Sequence, residues 1–218
     1  MTKKYSVFLV VLLLTGLTVS QPAMASITRS LHDFSKRTWN TEGEICKACH
    51  TPHNATSSIT PLWNHTLTTA TFTVYSSPSL NATVGQPSSA SKVCLSCHDG
   101  TVAVDSFGSR FGSSSGDGKT EDILKEFSTG TDLSNDHPIS FTYDAALATV
   151  DEGLHDPTVQ TVGSLGGKTI DAGMLINHKL ECSSCHDVHR NKGDSSITDR
   201  LLLVSNTKSG LCLTCHNK

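Results

Sequence analysis

The eight cysteines of this 218-residue chain fall into four copies of one pattern, a cysteine pair followed directly by histidine. The copies are Cys46-Lys47-Ala48-Cys49-His50, Cys94-Leu95-Ser96-Cys97-His98, Cys182-Ser183-Ser184-Cys185-His186 and Cys212-Leu213-Thr214-Cys215-His216. Two thiols three residues apart share one side of a helical turn. They can therefore reach the two vinyl groups of one macrocycle, and the adjoining imidazole can reach its iron. Cys-x-x-Cys-His is the attachment signature of c-type haem, so the chain is expected to carry four covalently bound haems.

Three other uses of paired cysteines compete with this reading. A disulfide framework explains an even cysteine count in an exported protein, but gives no reason for a histidine after each pair. Two zinc ribbons would occupy eight thiols and leave the four histidines idle. A thioredoxin-like centre needs one pair near a βαβ pattern, and no such pattern is present.

The N-terminus predicts export. Met1-Thr2-Lys3-Lys4 precedes an apolar run from Tyr5 to Val19 and then Ala23-Met24-Ala25, which reads as a signal peptide over 1–25, cut before Ser26. The run is shorter than the roughly 20 apolar residues of a membrane span, so no membrane span is expected. Loss of Lys3 and Lys4 leaves 15 basic against 20 acidic residues. A net charge of that sign gives no reason to expect nucleic acid.

Apolar and aromatic side chains are few, at 36% and 6% of the chain, so side chains alone would build a thin core. The expected fold is a loop-rich multihaem cytochrome c with few short α-helices and minimal β structure, its core formed by four stacked haems. Folding should then depend on the cofactor, as it does in small metal domains. Alternation of Ala70, Phe72 and Val74 with threonines predicts a short strand over Thr69 to Tyr75. Helices are expected over Glu121 to Phe127, capped by Thr120, and over Tyr143 to Leu154.

The motifs also repeat in pairs. Residues 46–98 run from Cys-x-x-Cys-His-Thr-Pro-His to Val-Cys-Leu-Ser-Cys-His, and residues 182–216 run from Cys-x-x-Cys-His-Asp-Val-His to Leu-Cys-Leu-Thr-Cys-His. This predicts a duplicated two-haem module: 26–106 the first copy, 107–177 a Gly/Ser-rich linker and intervening segment, 178–218 the second. The longer spacer of the first copy, Trp63 to Ser91, is an insertion.

The sixth ligand of each iron decides between electron transfer and catalysis. Of eleven histidines, His50, His98, His186 and His216 are the proximal ones, leaving seven for four places. Met174 is the only methionine after the signal peptide, which leaves histidine as the expected ligand throughout and argues for low-spin, comparatively low-potential haems. His53 and His189 hold equivalent places in the two modules and should serve neighbouring haems. His65 follows Trp-Asn, His137 precedes proline, and His32 lies ahead of any attachment site. These five are the candidates for four places. His155, in a Gly-Leu-His-Asp-Pro turn, reads as solvated, and His178, before Lys179 and very close to the third motif, is not expected to be a ligand. Asp99 and Asp187 follow proximal histidines and either tune them or cap turns.

Cys46 to Asn54, Pro61 to His65, Cys94 to Gly100, Asp136 to Ile139 and Cys182 to His189 carry a resemblance. Together they resemble the doubled Cys-x-x-Cys-His cytochromes and the extracellular tetrahaem cytochromes of metal-reducing bacteria, whose subunits polymerise into conductive filaments. The resemblance implies a closely stacked haem chain continuing across head-to-tail contacts between copies. It also implies other multihaem cytochromes and extracellular electron acceptors as partners, and an extracellular or cell-surface address. One axial histidine is often donated by a neighbour in such filaments, and His32, on a polar N-terminal arm, is the expected donor. A monomeric periplasmic shuttle is the alternative. A multihaem reductase would need an iron with an open position, which the surplus of histidines opposes.

Overall fold

A Cys-x-x-Cys-His segment can close a single helical turn, and the chain is arranged around four such turns. The computed structural model describes residues 27–28, 30–55, 61–108, 128–190 and 201–218. The predicted signal peptide and the helix expected over Glu121 to Phe127 lie outside the described residues.

In the first motif the N–H groups of Cys49 and His50 both donate to the Cys46 carbonyl, at 3.1 and 2.8 Å. The second motif forms the last turns of α1 (Ser89–His98). The third is α4 (Cys182–Cys185), closed by the His186 N–H on the Cys182 carbonyl at 3.1 Å. The fourth ends α5 (Gly210–Cys215), with the His216 N–H on the Cys212 carbonyl at 2.9 Å.

Between the second and third motifs lies the most regular part of the chain. β1 (Phe141–Thr142) pairs antiparallel with β4 (Lys179–Leu180), with Phe141 opposite Leu180. β2 (Thr161–Val162) and β3 (Lys168–Thr169) form a hairpin. Gly166 and Gly167 supply its left-handed corner, at φ 72° and 76°, where a side chain would be strained. α2 (Ala145–Val150) is shorter than the helix expected over Tyr143 to Leu154. The Asp144 carboxylate accepts the Leu147 N–H at 2.9 Å, which caps the helix two residues late, and Asp151 leaves it in extended geometry. α3 (Ile170–Met174) starts where the Thr169 hydroxyl accepts the Ala172 N–H at 3.2 Å.

The strand expected over Thr69 to Tyr75 does not form. The segment is extended and alternates as predicted, with Phe72 buried between exposed Thr71 and Thr73, but its ladder contact among the described residues is the isolated bridge from Thr73 to Asp132. The reason is Gln86. Its side-chain amide accepts the Phe72 N–H and donates to the Phe72 carbonyl, both at 2.8 Å, so a side chain stands where a partner strand would.

Apolar burial is divided among three small clusters. Phe141, Tyr143, Val162, Ile170, Met174 and Leu180 form the largest. Trp39, Ala48, Val104 and Phe107 surround the first motif, and Phe72, Leu95 and Leu133 lie beside the second. Tyr143 joins the first cluster to the C-terminus, its hydroxyl donating to the His155 carbonyl at 2.6 Å and lying 3.3 Å from the Cys215 carbonyl. Tyr143→Phe is expected to cost about 1–2 kcal/mol, since it strands buried acceptors without opening a cavity. Chemical denaturation of the two proteins checks this, and equal midpoints would refute it.

Candidate haem-binding site

Each motif histidine emerges from its turn into a main-chain clamp. After the first motif, Trp63 bridges His50 antiparallel, the Asn64 N–H donates to Cys49 O at 2.9 Å, and the Thr51 N–H donates to Leu62 O at 2.8 Å. The third motif repeats this. Leu202 bridges His186, the Leu203 N–H donates to Cys185 O at 2.9 Å, and the Asp187 N–H donates to Leu201 O at 2.8 Å. In the fourth, Leu154 bridges His216, the His155 N–H donates to Cys215 O and the Asn217 N–H to Gly153 O, both at 2.8 Å. At the second motif the His98 carbonyl takes the Thr129 N–H at 2.9 Å. The first and third clamps share one further device: Leu62 and Leu201 are left-handed, at φ 58° and 56°, a conformation costly for a leucine.

The sulfurs follow one another in order. All eight cysteines are unbridged. Burial and then the neighbouring Cys49 push the Cys97 thiol up, which links the first motif to the second. Cys94 and Cys182 are within hydrogen-bonding reach of each other, linking the second to the third. Burial, then Cys185 and Cys212, push the Cys215 thiol up to about 12, linking the third to the fourth. Each motif thus has a cysteine within electrostatic reach of the next motif's, and the His50–His189 contact also brings the first motif beside the segment that follows the third.

Three motif histidines stand opposite a histidine from a distant part of the chain. His50 and His189 have ring centroids 6.0 Å apart, His98 and His32 6.0 Å, and His216 and His137 6.3 Å. Such separations are also ordinary for aromatic packing. The informative feature is identity, because in each pair one ring belongs to a motif and the other does not. Two imidazoles bound on opposite sides of one metal ion, each nitrogen about 2 Å from it, would have centroids about 6 Å apart, so these residues fit an iron ligated on both faces.

Ring nitrogens are oriented to match. The Nδ1 atoms of His50 and His137 face the Pro61 and Pro138 carbonyls at 3.0 and 2.9 Å. A proton held there leaves Nε2 as the lone-pair nitrogen. The Nδ1 of His189 lies 3.5 Å from Asp187 Oδ1. Asp187 also accepts the His189 N–H at 2.9 Å, which makes it a turn cap. Asp99 instead caps a turn, accepting the Thr101 N–H and hydroxyl at 2.8 Å.

His32 lies within its own chain. The N-terminal arm turns back through a 3-10 turn, Phe34–Lys36, capped by Asp33. It is fixed by the Phe34–Trp39 ring contact and by the Asn40 amide donating to Phe34 O and Glu44 O at 3.0 and 2.9 Å. This carries His32 onto His98, where burial and then the His98 ring lower its pKa to about 4. Its Nδ1 is sealed from solvent without a hydrogen-bond partner. The neutral imidazole is the ligating form. The arm expected to extend to another subunit is folded against the second motif, and His186 is within electrostatic reach of it.

The remaining histidines are placed differently. His65 is 2% exposed, its Nδ1 faces Thr66 O at 2.8 Å, and its Nε2 faces Ala103 O and Val104 O at 3.0 and 3.2 Å. Its Nε2 also lies 3.6 Å from Cys97 Sγ, beside the second motif. His53 is exposed in the turn after the first motif. His178 is exposed and held by Asp171 at 2.8 Å. His155 uses its main chain to clamp the fourth motif. Met174 is buried in the largest apolar cluster.

Among the described residues, no three or more of histidine, cysteine, aspartate and glutamate converge as a protein-only metal site. No helix among them is long and apolar enough to cross a membrane. No family model matches the chain, and no curated protein matches it.

Proposed function

We propose that the chain is an electron-transfer protein carrying four covalently attached c-type haems, ligated by histidine on both faces, and that it serves as the repeating subunit of an extracellular filament. The observation that carries this is the pairing of three of the four motif histidines with histidines from elsewhere: His50 with His189, His98 with His32, His216 with His137. Cys46 and Cys49, Cys94 and Cys97, Cys182 and Cys185, and Cys212 and Cys215 would hold the four groups. When bound, haem c supplies a one-electron centre whose potential follows its axial ligands and surroundings.

The work of the polypeptide is positional. The helical turns present each sulfur pair, the main-chain clamps fix where each motif histidine leaves its turn, and the Nδ1 contacts of His50 and His137 would leave Nε2 as the ligating nitrogen. The closeness of the four cysteine pairs supports electron passage between neighbouring groups. We assign no catalytic residue. A filament requires a head-to-tail contact between copies that does not close, with other multihaem cytochromes or external electron acceptors at its ends. The inward folding of His32 favours, as a second reading, a monomeric periplasmic shuttle that supplies its distal ligands in cis.

The test is to recover the exported protein from a host that attaches c-type haem. Four haem adducts in the intact mass and an entirely low-spin spectrum are expected, and fewer adducts or a high-spin resting state would refute the haem assignment. Electron microscopy then separates the two forms: long fibres are expected for the filament, and dispersed particles at every concentration would leave the shuttle.

A further inference from the structure

The second and third attachment sites are joined through a buried carboxylate. Glu181 is 0% exposed and is the N-cap of α4, immediately before Cys182. Its side chain accepts the Ser184 N–H, while its own N–H donates to Ser184 Oγ at 2.9 Å. The Ser140 hydroxyl donates to Oε2 at 2.8 Å and the Ser88 hydroxyl to Oε1 at 3.3 Å. Ser88 is the N-cap of α1 and makes no side-chain capping bond to it; its hydroxyl is turned to Glu181 instead. Ser140 in turn accepts the Ser88 N–H at 3.1 Å, and Ser91, fully buried in α1, accepts the Cys182 N–H at 2.9 Å.

The result is a sealed polar knot that ties the start of α1 to the start of α4. It holds the first cysteines of the two motifs against each other. Every contact to the Glu181 side chain is a donor, the pattern of an acceptor-only carboxylate. No basic side chain among the described residues forms an ion pair with it. Charge without a counter-ion in a dry site acts strongly on its neighbours. Such a site is retained only where its hydrogen bonds are complete.

We propose that Glu181 is a positioning and potential-setting residue for the groups attached at Cys94 and Cys182. It fixes the two attachment helices to each other and lowers the reduction potential of the adjacent haems relative to the terminal ones. A negative charge favours the more positive, oxidised iron, so the sign is determined. This inference rests on the haem reading above.

The experiment is a spectroelectrochemical titration of the haem-loaded wild type and Glu181→Gln. Both are expected to keep the same haem count and low-spin spectrum. Part of the Gln titration should move to more positive potential, and the rest should overlay the wild type. Curves that coincide along their whole length would overturn the proposal. A uniform displacement of all four steps would do so too, because a local charge cannot act equally on every site. If the Gln protein does not accumulate, Glu181→Asp keeps the charge with less reach and is expected to titrate as wild type. A positive displacement in the Asp protein would refute the electrostatic role. Recovery of the wild type without haem would overturn the underlying reading, and is recognised before any titration.

Discussion

Replacement of His137, His189 or His32 by alanine is expected to turn one low-spin iron into a high-spin one, about a quarter of the total for four sites, and to leave the rest unchanged. Each of these rings faces a motif histidine from a distant segment, so its loss removes one axial ligand while the sulfurs and the proximal imidazole stay in place. Electron paramagnetic resonance of the oxidised proteins reads the fraction directly. His65→Ala supplies the contrast. Its ring is buried among the Thr66, Ala103 and Val104 carbonyls and the Cys97 sulfur, so the substitution is expected to lower stability without a high-spin signal. A high-spin quarter in the His65 variant, or none in the other three, would reverse the ligand assignment.

The second large effect is on folding itself. With all eight cysteines replaced by alanine, so that nothing can be attached, the chain is expected to lose its cooperative thermal transition and its slowly exchanging amides. The three apolar clusters are small and separate, and the one beside the second motif has only Phe72, Leu95 and Leu133 as buried members. Burial on that scale does not offset the conformational entropy of so many loop residues. The four turns would also lose what holds them together, since their sulfurs are neighbours only through the folded chain. A variant that melted cooperatively, with hydrogen exchange as slow as the loaded protein, would show that the polypeptide folds on its own.

The parts of this arrangement legible in the sequence are those written over short distances. The four attachment turns are local, and so is the duplicated order of motif, extra histidine, spacer and motif. Loop richness follows from composition. The strand over Thr69 to Tyr75 was mispredicted because periodicity reports which side of a segment is buried, not what satisfies its peptide groups, and here Gln86 does that. The ring pairs were only partly legible. A candidate list could be drawn from turn context, but His50 and His189 are brought together by tertiary structure. His32 was expected on an arm that reaches a neighbouring copy, and in the single chain Asp33, Phe34 and Asn40 turn that arm back onto His98. Glu181 left a faint trace in Glu-x-x-Ser at the start of the third motif, the reverse of the usual capping order.

The clamps left little trace, because they are made mainly from peptide groups. At positions 64, 155 and 203 the clamp bond itself is made by the N–H, which every residue except proline provides; at 64 the Asn side chain adds a bond to the Lys47 carbonyl at 2.6 Å. The placement of the third and fourth Cys-x-x-Cys-His turns is therefore largely insulated from the identity of the clamping side chains. Mutation can recolour the surface near each site, altering charge, partner preference or solubility, while the distances between sites stay as the backbone sets them.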